Sequence, residues 1–345
     1  MMRILTIVSC FILSIQMYAQ DPQFSHLYAN PLYLGPSFAG ATGGSRVTLN
    51  ARDQWTAVAK EYISYSASID HYFYGTNSGG GLMLFRDHAG DGKLTTHAAL
   101  LQYSYSINAG KNFSIRPGIQ FTYAQRKIDY SELTFGDQIS IEEIKDYTIE
   151  PQLEESITYI DFSGSLMGIY KNHWFGFTLD HIAQPNHSLT ARKVQIPIRK
   201  AFYIGSKFHI NTRIGKKRVS ELLYVMAHFN QQDNFNQAFL GTYYTRQQYI
   251  FGLWYRGIPF LKTYEDYKNN DACIFMVGFR KHNLTFLYSY DFTISKLISD
   301  SAGSHEITVT INWKSDRSKR SKKNMKVVPC PMQEPAWKKY DSQTM

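Results

Sequence analysis

A chain of 345 residues whose composition stays even until about residue 314 argues for one large unit with an appendage. Beyond the first few positions no run approaches the roughly 20 apolar residues a spanning helix needs, which excludes a helical membrane bundle. The formal net charge is +9, and aromatic residues make up 15% of a chain whose mean hydropathy is below zero, a mixture suited to rings meeting an apolar medium while alternate positions stay polar.

In chain order, Met1-Met2-Arg3, the apolar run Ile4 to Ile15 and the small-residue site at Ala19 read as a signal peptide over 1–19. Ile7-Val8-Ser9-Cys10 loosely resembles a lipoprotein box, but the apolar run continues past Cys10. Cleavage after Ala19 would start the mature chain at Gln20. Residues 20–43, rich in Pro, Gly, Ala and Ser and poor in charge, read as a lumen plug or as a disordered lead-in.

From residue 44 the pattern changes to period two. Ile63, Tyr65, Ala67 and Ile69 alternate with Ser64, Ser66, Ser68 and Asp70, a strand with one apolar and one polar face. Similar segments fall at 44–50, 61–72, 79–86, 95–107, 113–125, 158–171, 174–181, 200–211, 219–229, 236–245, 247–256, 272–280, 283–291 and 305–313. Fourteen strands over 44–313 predict an all-β fold, a transmembrane antiparallel β-barrel in the outer membrane, with lipid around it.

Connection lengths support this. Tight links such as Lys171-Asn172-His173 and Lys281-His282 alternate with long ones at 126–157, 182–199, 257–271 and 292–304. Outer-membrane barrels have short periplasmic turns and longer outer loops, so both termini are expected in the periplasm. A barrel this wide has a lumen that is either open or plugged. From Lys314 on, nine basic residues face three acids, giving a flexible basic tail over 314–345 with Arg317, Lys319, Arg320, Lys322 and Lys323 as candidate periplasmic contacts for a protein or an anionic envelope surface. Nucleic acid is not an expected partner there.

Nothing in the chain has the spacing of a zinc site or a phosphate loop, so no metal or cofactor is expected and the chain reads as non-enzymatic. Gly79-Gly80-Gly81 reads as a bend at a strand start. Asp87-His88-Ala89-Gly90-Asp91-Gly92 reads as a hairpin loop. Ser104 and Ser289, weighed as membrane-facing nucleophiles, read as polar members of alternating strands.

Gln20-Asp21-Pro22-Gln23-Phe24-Ser25-His26, Asn30-Pro31-Leu32-Tyr33, Pro36-Ser37-Phe38-Ala39-Gly40, Arg52-Asp53-Gln54-Trp55, Asp161-Phe162-Ser163-Gly164, Gln184-Pro185, and Tyr288 to Phe292 with Gly303 to Ile307 together resemble the PorP/SprF family of type IX secretion and gliding-motility membrane proteins of Bacteroidota. The resemblance covers residues 20–313, with Gly35-Pro36-Ser37 standing where the family pattern has Asn-Pro-Ala. It implies a barrel serving secretion or surface attachment of adhesin-like cargo with a C-terminal sorting domain, in contact with other secretion components. Gln20, Asp21, Pro22, Phe24, His26, Arg52, Gln54 and Trp55 are the candidate partner or plug contacts, with Arg52 and Trp55 placed in the first outward loop and Trp55 alternatively in an interfacial aromatic girdle. A passive diffusion channel is the alternative function.

Overall fold

The computed structural model describes residues 21–57, 62–90, 93–139, 147–149, 154–190, 193–214, 217–263, 267–294, 302–314 and 327–330. The signal-peptide segment, Gln20 and the five tail residues Arg317, Lys319, Arg320, Lys322 and Lys323 lie outside them.

Strand β1 (Gly44–Gln54) pairs antiparallel with β2 (Tyr62–Phe73), followed in order by β3 (Ser78–Ala89) and β4 (Leu94–Tyr105). The two-residue β5 (Ile107–Asn108) lies beside β6 (Phe113–Lys127), which pairs directly with β4. The wall continues through β7 (Ser156–Tyr170), β8 (His173–Asp180), β9 (Arg199–Ile214), β10 (Lys217–Gln232), β11 (Phe235–Arg246), β12 (Tyr249–Thr263), β13 (Tyr267–Lys281), β14 (Leu284–Thr293) and β15 (Ser304–Lys314). β15 pairs with β1 from Gly44↔Lys314 to Gln54↔Ser304, and this closes a ring of fourteen antiparallel strands plus the short β5. Each predicted strand has its counterpart.

Closure gives every strand two environments. On β2, Ser64, Ser66, Ser68 and Asp70 are buried, whereas Tyr65 and Ile69 are exposed. The contrast is sharpest on β6, where Ile119 is 66% exposed and its neighbour Gln120 only 9%. Large apolar side chains cover the outside of the wall, including Leu101, Phe121, Phe162, Phe202, Leu253, Phe275 and Ile311. Polar residues line much of the inside, with an apolar patch on β10 to β14. This inversion of a soluble fold is what lipid outside and a satisfied backbone within the wall require.

At the end where β1 begins and β15 stops, called here the terminus end, the turns are short: 171–172, 247–248 and 282–283. Lys171, Gln247 and His282 each open such a turn with φ of 52°, the left-handed conformation two-residue hairpins demand. The opposite, loop end carries the long connections 128–155, 181–198 and 294–303. One expected loop, 257–271, is mostly strand. β12 and β13 run on past Arg256, and register shifts at Arg256/Gly257 and Ile258/Lys262 absorb the Gly257-Ile258-Pro259 breaker.

Residues 21–43 lie inside this wall. They form a strap with one helical turn, α1 (Pro31–Leu34), and a 3₁₀ turn at Pro36–Phe38. Phe24, Tyr28 and Phe38 are fully buried. The strap runs lengthwise: Asp21 touches Arg199 and His181 at the loop end, and Gly40 meets Asp70 near the terminus end, where the chain enters β1. Val328 and Cys330, from the C-terminal tail, are also buried within the barrel.

Candidate functional site

The site is the contact between strap and wall, and it is built from charges that alternation turns inward. β1 extends to Gln54, so Arg46 and Arg52 belong to its inward face. Arg52 therefore does not stand in the outward loop that the sequence suggested. Its guanidinium is 3.2 Å from Glu306 on the adjacent β15 and 2.9 Å from Asp291 on β14, one strand further round, and donates to Ser25 Oγ at 2.5 Å. Glu306 also accepts from the backbone N–H groups of Ser25 (2.6 Å) and His26 (3.1 Å) and from Asn50 Nδ2 (2.8 Å). Arg256 joins through Asp291 (2.9 Å) and Ser25 Oγ (3.1 Å), and Thr308 binds the His26 ring at 2.6 Å. Ser25 is thus held by two arginines and two carboxylates that neutralise one another, the arrangement under which buried charges are tolerated.

A second set of bonds grips the strap's carbonyls. Gln102 donates to Leu32 O at 2.7 Å and Thr178 to Leu34 O at 3.0 Å. Arg116 reaches Ser37 O at 3.2 Å and Ala39 O at 2.7 Å, and Ser104 also donates to Ala39 O. Asp70 accepts from Gly40 N–H at 2.8 Å and is itself paired with Arg46 at 2.7 Å. The strap has little regular structure of its own, so wall side chains supply the partners its backbone needs. Ser104 and Ser289 both face this lumen and are fully buried, so neither points at the membrane. Asp87 and His88 fall in the last three residues of β3, not in a loop, and bond Ser64 and Thr95, respectively.

At the loop end, His181 follows β8 directly and sits between two carboxylates, with Nε2 2.9 Å from Asp21 and Nδ1 2.5 Å from Asp161. Arg199 bonds Asp180 at 2.9 Å and Asp21 at 3.2 Å. Burial disfavours charge on the His181 ring, but the Asp21 charge and the hydrogen bonds to Asp161 and Asp21 outweigh it and raise the pKa from 6.5 to about 10. Burial likewise disfavours the Asp21 carboxylate, yet His181 and Arg199 hold it well below its ordinary 3.8. A raised histidine stabilises fully below pH 6.5 and fades as pH rises through about 10; a lowered aspartate stabilises above pH 3.8. Protease protection of residues 21–25 is therefore expected to be flat from about pH 4 to 6.5 and to fall by pH 10. In His181→Asn the protection should be lower throughout and lack the alkaline fall, and an unchanged pH profile would contradict the latch.

Of the other predicted residues, Phe24 packs edge-on against Tyr33 with centroids 4.9 Å apart, and Pro22 O accepts from Tyr33 Oη. Gln54 pairs with Ser304 at the strand end. Trp55 has φ of 61°, donates its backbone N–H to Gly303 O and packs edge-on against Tyr62. Structure adds Arg46, Asp70, Arg116, His181, Arg199 and Arg256. Their sequence signal is a charge at a polar position within an alternating strand or at its end. Beside Asp21 and Tyr33 a cavity of about 110 Å³ remains between strap and wall, lined by Leu32, Met83, Phe85 and Leu100.

Among solved structures, the chain is similar to the toluene transporter TodX of Pseudomonas putida, at 9% identity and a TM-score of 0.41, over 81% of this chain and 92% of that one. A Pseudomonas aeruginosa FadL homologue gives 11% identity and a TM-score of 0.36, over 78% and 90%. CdiB from Acinetobacter baumannii gives 6% and 0.41, over 78% and 60%. Likeness at this level says nothing about ligand or mechanism. No curated protein matches. The family model described as type IX secretion system membrane protein PorP/SprF matches residues 16–311, and with that span the chain belongs to the PorP/SprF family.

Proposed function

We propose that this outer-membrane barrel is a non-enzymatic scaffold of the type IX secretion and gliding machinery, which binds or anchors cargo carrying a C-terminal sorting domain and contacts other secretion components. The observation that carries the reading is the commitment of the lumen's charged side chains to the chain's own strap, from Arg52, Asp291 and Glu306 to Arg116 and Asp70. A diffusion channel needs those groups facing water; a scaffold needs a rigid wall with surfaces free at its ends. The long connections at 128–155 and 181–198 are the proposed cargo-facing surface, and the basic residues Arg317 to Lys323 the proposed periplasmic contact. Lipid contacts the apolar outer face.

Deleting the gene is expected to leave the translocon assembled while at least one sorting-domain adhesin is lost from the cell surface, read by surface proteolysis and whole-cell proteomics. Normal display of every sorting-domain protein would overturn the proposal.

A further inference from the structure

Charges hold the strap through Arg46, Arg52, Asp70 and Arg116 on one side and reach across to Arg199, Arg256 and Asp291 on the other, but toward the terminus end β10 to β14 also carry an apolar inward patch, with Leu222, Tyr224, Met226, Tyr243, Trp254 and Met276 all buried. Two glycines shape this patch. A Cβ on Gly205 would meet the Trp174 ring at 2.0 Å, and one on Gly241 the Trp254 ring at 2.2 Å, so both rings lie flat against the wall and leave room in front of them. Tyr28 of the strap takes part of that room, with its ring centroid 6.1 Å from Trp174 and 5.9 Å from Trp254, and the rest of the cluster is completed from far along the chain. Val328 and Cys330 are 0% exposed and belong to the same apolar cluster, with Cys330 beside Tyr28 of the strap and Tyr243 of β11.

β15 ends at Lys314, level with Gly44 at the terminus end. Leu222, Tyr243 and Leu287 lie in the halves of their strands nearest that end, so the groove faces the side from which the tail comes. Twelve intervening residues can reach about 40 Å, more than enough to fold back. The segment Val327-Val328-Pro329-Cys330 is chemically matched to an apolar groove: its side chains carry no charge, and Pro329 has no N–H needing a partner. Val328 and Cys330 anchor it in the apolar cluster.

We propose that residues 327–330 are the cis occupant of a peptide-binding groove in the lumen, one that accepts a short, extended, apolar and proline-containing segment entering from the terminus end. Full closure of the barrel thus takes both ends of the chain. The tail autoinhibits the groove, and a partner segment of the same chemistry competes with it. This does not depend on the cargo-scaffold reading, because a channel or a scaffold could carry such a groove.

The test uses the full chain with C10S and C273S, leaving Cys330 as the single thiol. In the folded barrel, maleimide labelling of Cys330 should be at least about tenfold slower than after heat unfolding, since its exposure requires local opening. Val328→Asp should bring labelling close to the unfolded rate while the barrel still migrates as a compact species on unheated gels. In the second arm, a dye-labelled peptide of residues 324–333 should bind a chain truncated after Lys314 and not the intact chain, with Trp254→Ala weakening it about tenfold. Equal labelling of Cys330 in folded and unfolded protein would overturn the proposal. So would a peptide that binds intact and truncated chains alike, or binds neither.

Discussion

Arg52→Ala will loosen the strap more than any other single side-chain truncation. The substitution leaves Asp291 and Glu306 buried with one fewer cation and removes a donor from Ser25 Oγ. Removing one partner from a buried ion pair costs about 3–5 kcal/mol, because the remaining charge is left uncompensated. Arg256 still faces Asp291, which places the effect at the lower end of that range, while Glu306 keeps Asn50, the two strap N–H groups and the His26 ring at 3.6 Å but loses its arginine. The cost falls on the docked strap, since the wall's backbone ladder from Gly44↔Lys314 to Gln54↔Ser304 does not involve the Arg52 side chain. Limited proteolysis of purified protein should cut within residues 21–30 of the variant while the barrel core survives. Wild-type resistance of those residues would contradict the assigned role.

The second large effect comes from a pair of glycines. A Cβ on Gly79 would stand 2.0 Å from Ala39 O, and one on Gly118 would stand 2.4 Å from Ser37 N and 2.5 Å from Pro36 C. Both obstacles are backbone and cannot rotate away. Either the strap or the wall must move, and overpacking of this kind costs about 1–3 kcal/mol per site. The wall is paired on both sides at each position, so the strap is what yields. Gly79→Ala with Gly118→Ala is expected to displace residues 36–40 and to break the Arg116 and Ser104 bonds to Ala39 O, seen as faster amide exchange over 36–40 with unchanged exchange in β3 and β6. Exchange rates equal to wild type in both regions would show that the strap does not rest on these glycines.

Those same glycines mark where sequence reasoning ran short. Gly79 was readable as a bend because glycine at a strand start usually is one; its actual need, the close approach of another backbone, depends on a residue 40 positions earlier in a segment with no period. The barrel itself was legible, since alternation is local and lipid outside makes it regular, as in Ser64 to Asp70 against Tyr65 and Ile69. Arg52 falls in a loop on the sequence reading because the alternation of β1 is followed only to residue 50, whereas the strand runs four residues further, to Gln54. His181 and Arg199 escaped notice: they gain meaning only when the folded strap brings Asp21 between them, about 160 and 178 residues away in sequence. The 257–271 stretch failed for a different reason, as bulges let β12 carry a glycine and a proline that would break a regular central strand.

The inward charges divide the labour between wall and strap. Alternation supplies a ring of polar side chains; closure converts them into partners for a segment that could not fold alone, and the apolar outer face fixes the whole in the membrane. Family membership then places this closed wall in type IX secretion.

At the centre of this picture the chain shuts its own lumen with its own strap. Planar-bilayer recording of the purified intact protein tests it most directly. Silence, with steps of conductance appearing in the Gly79→Ala, Gly118→Ala variant, is the predicted result, and a steady ohmic conductance from the intact chain would contradict it.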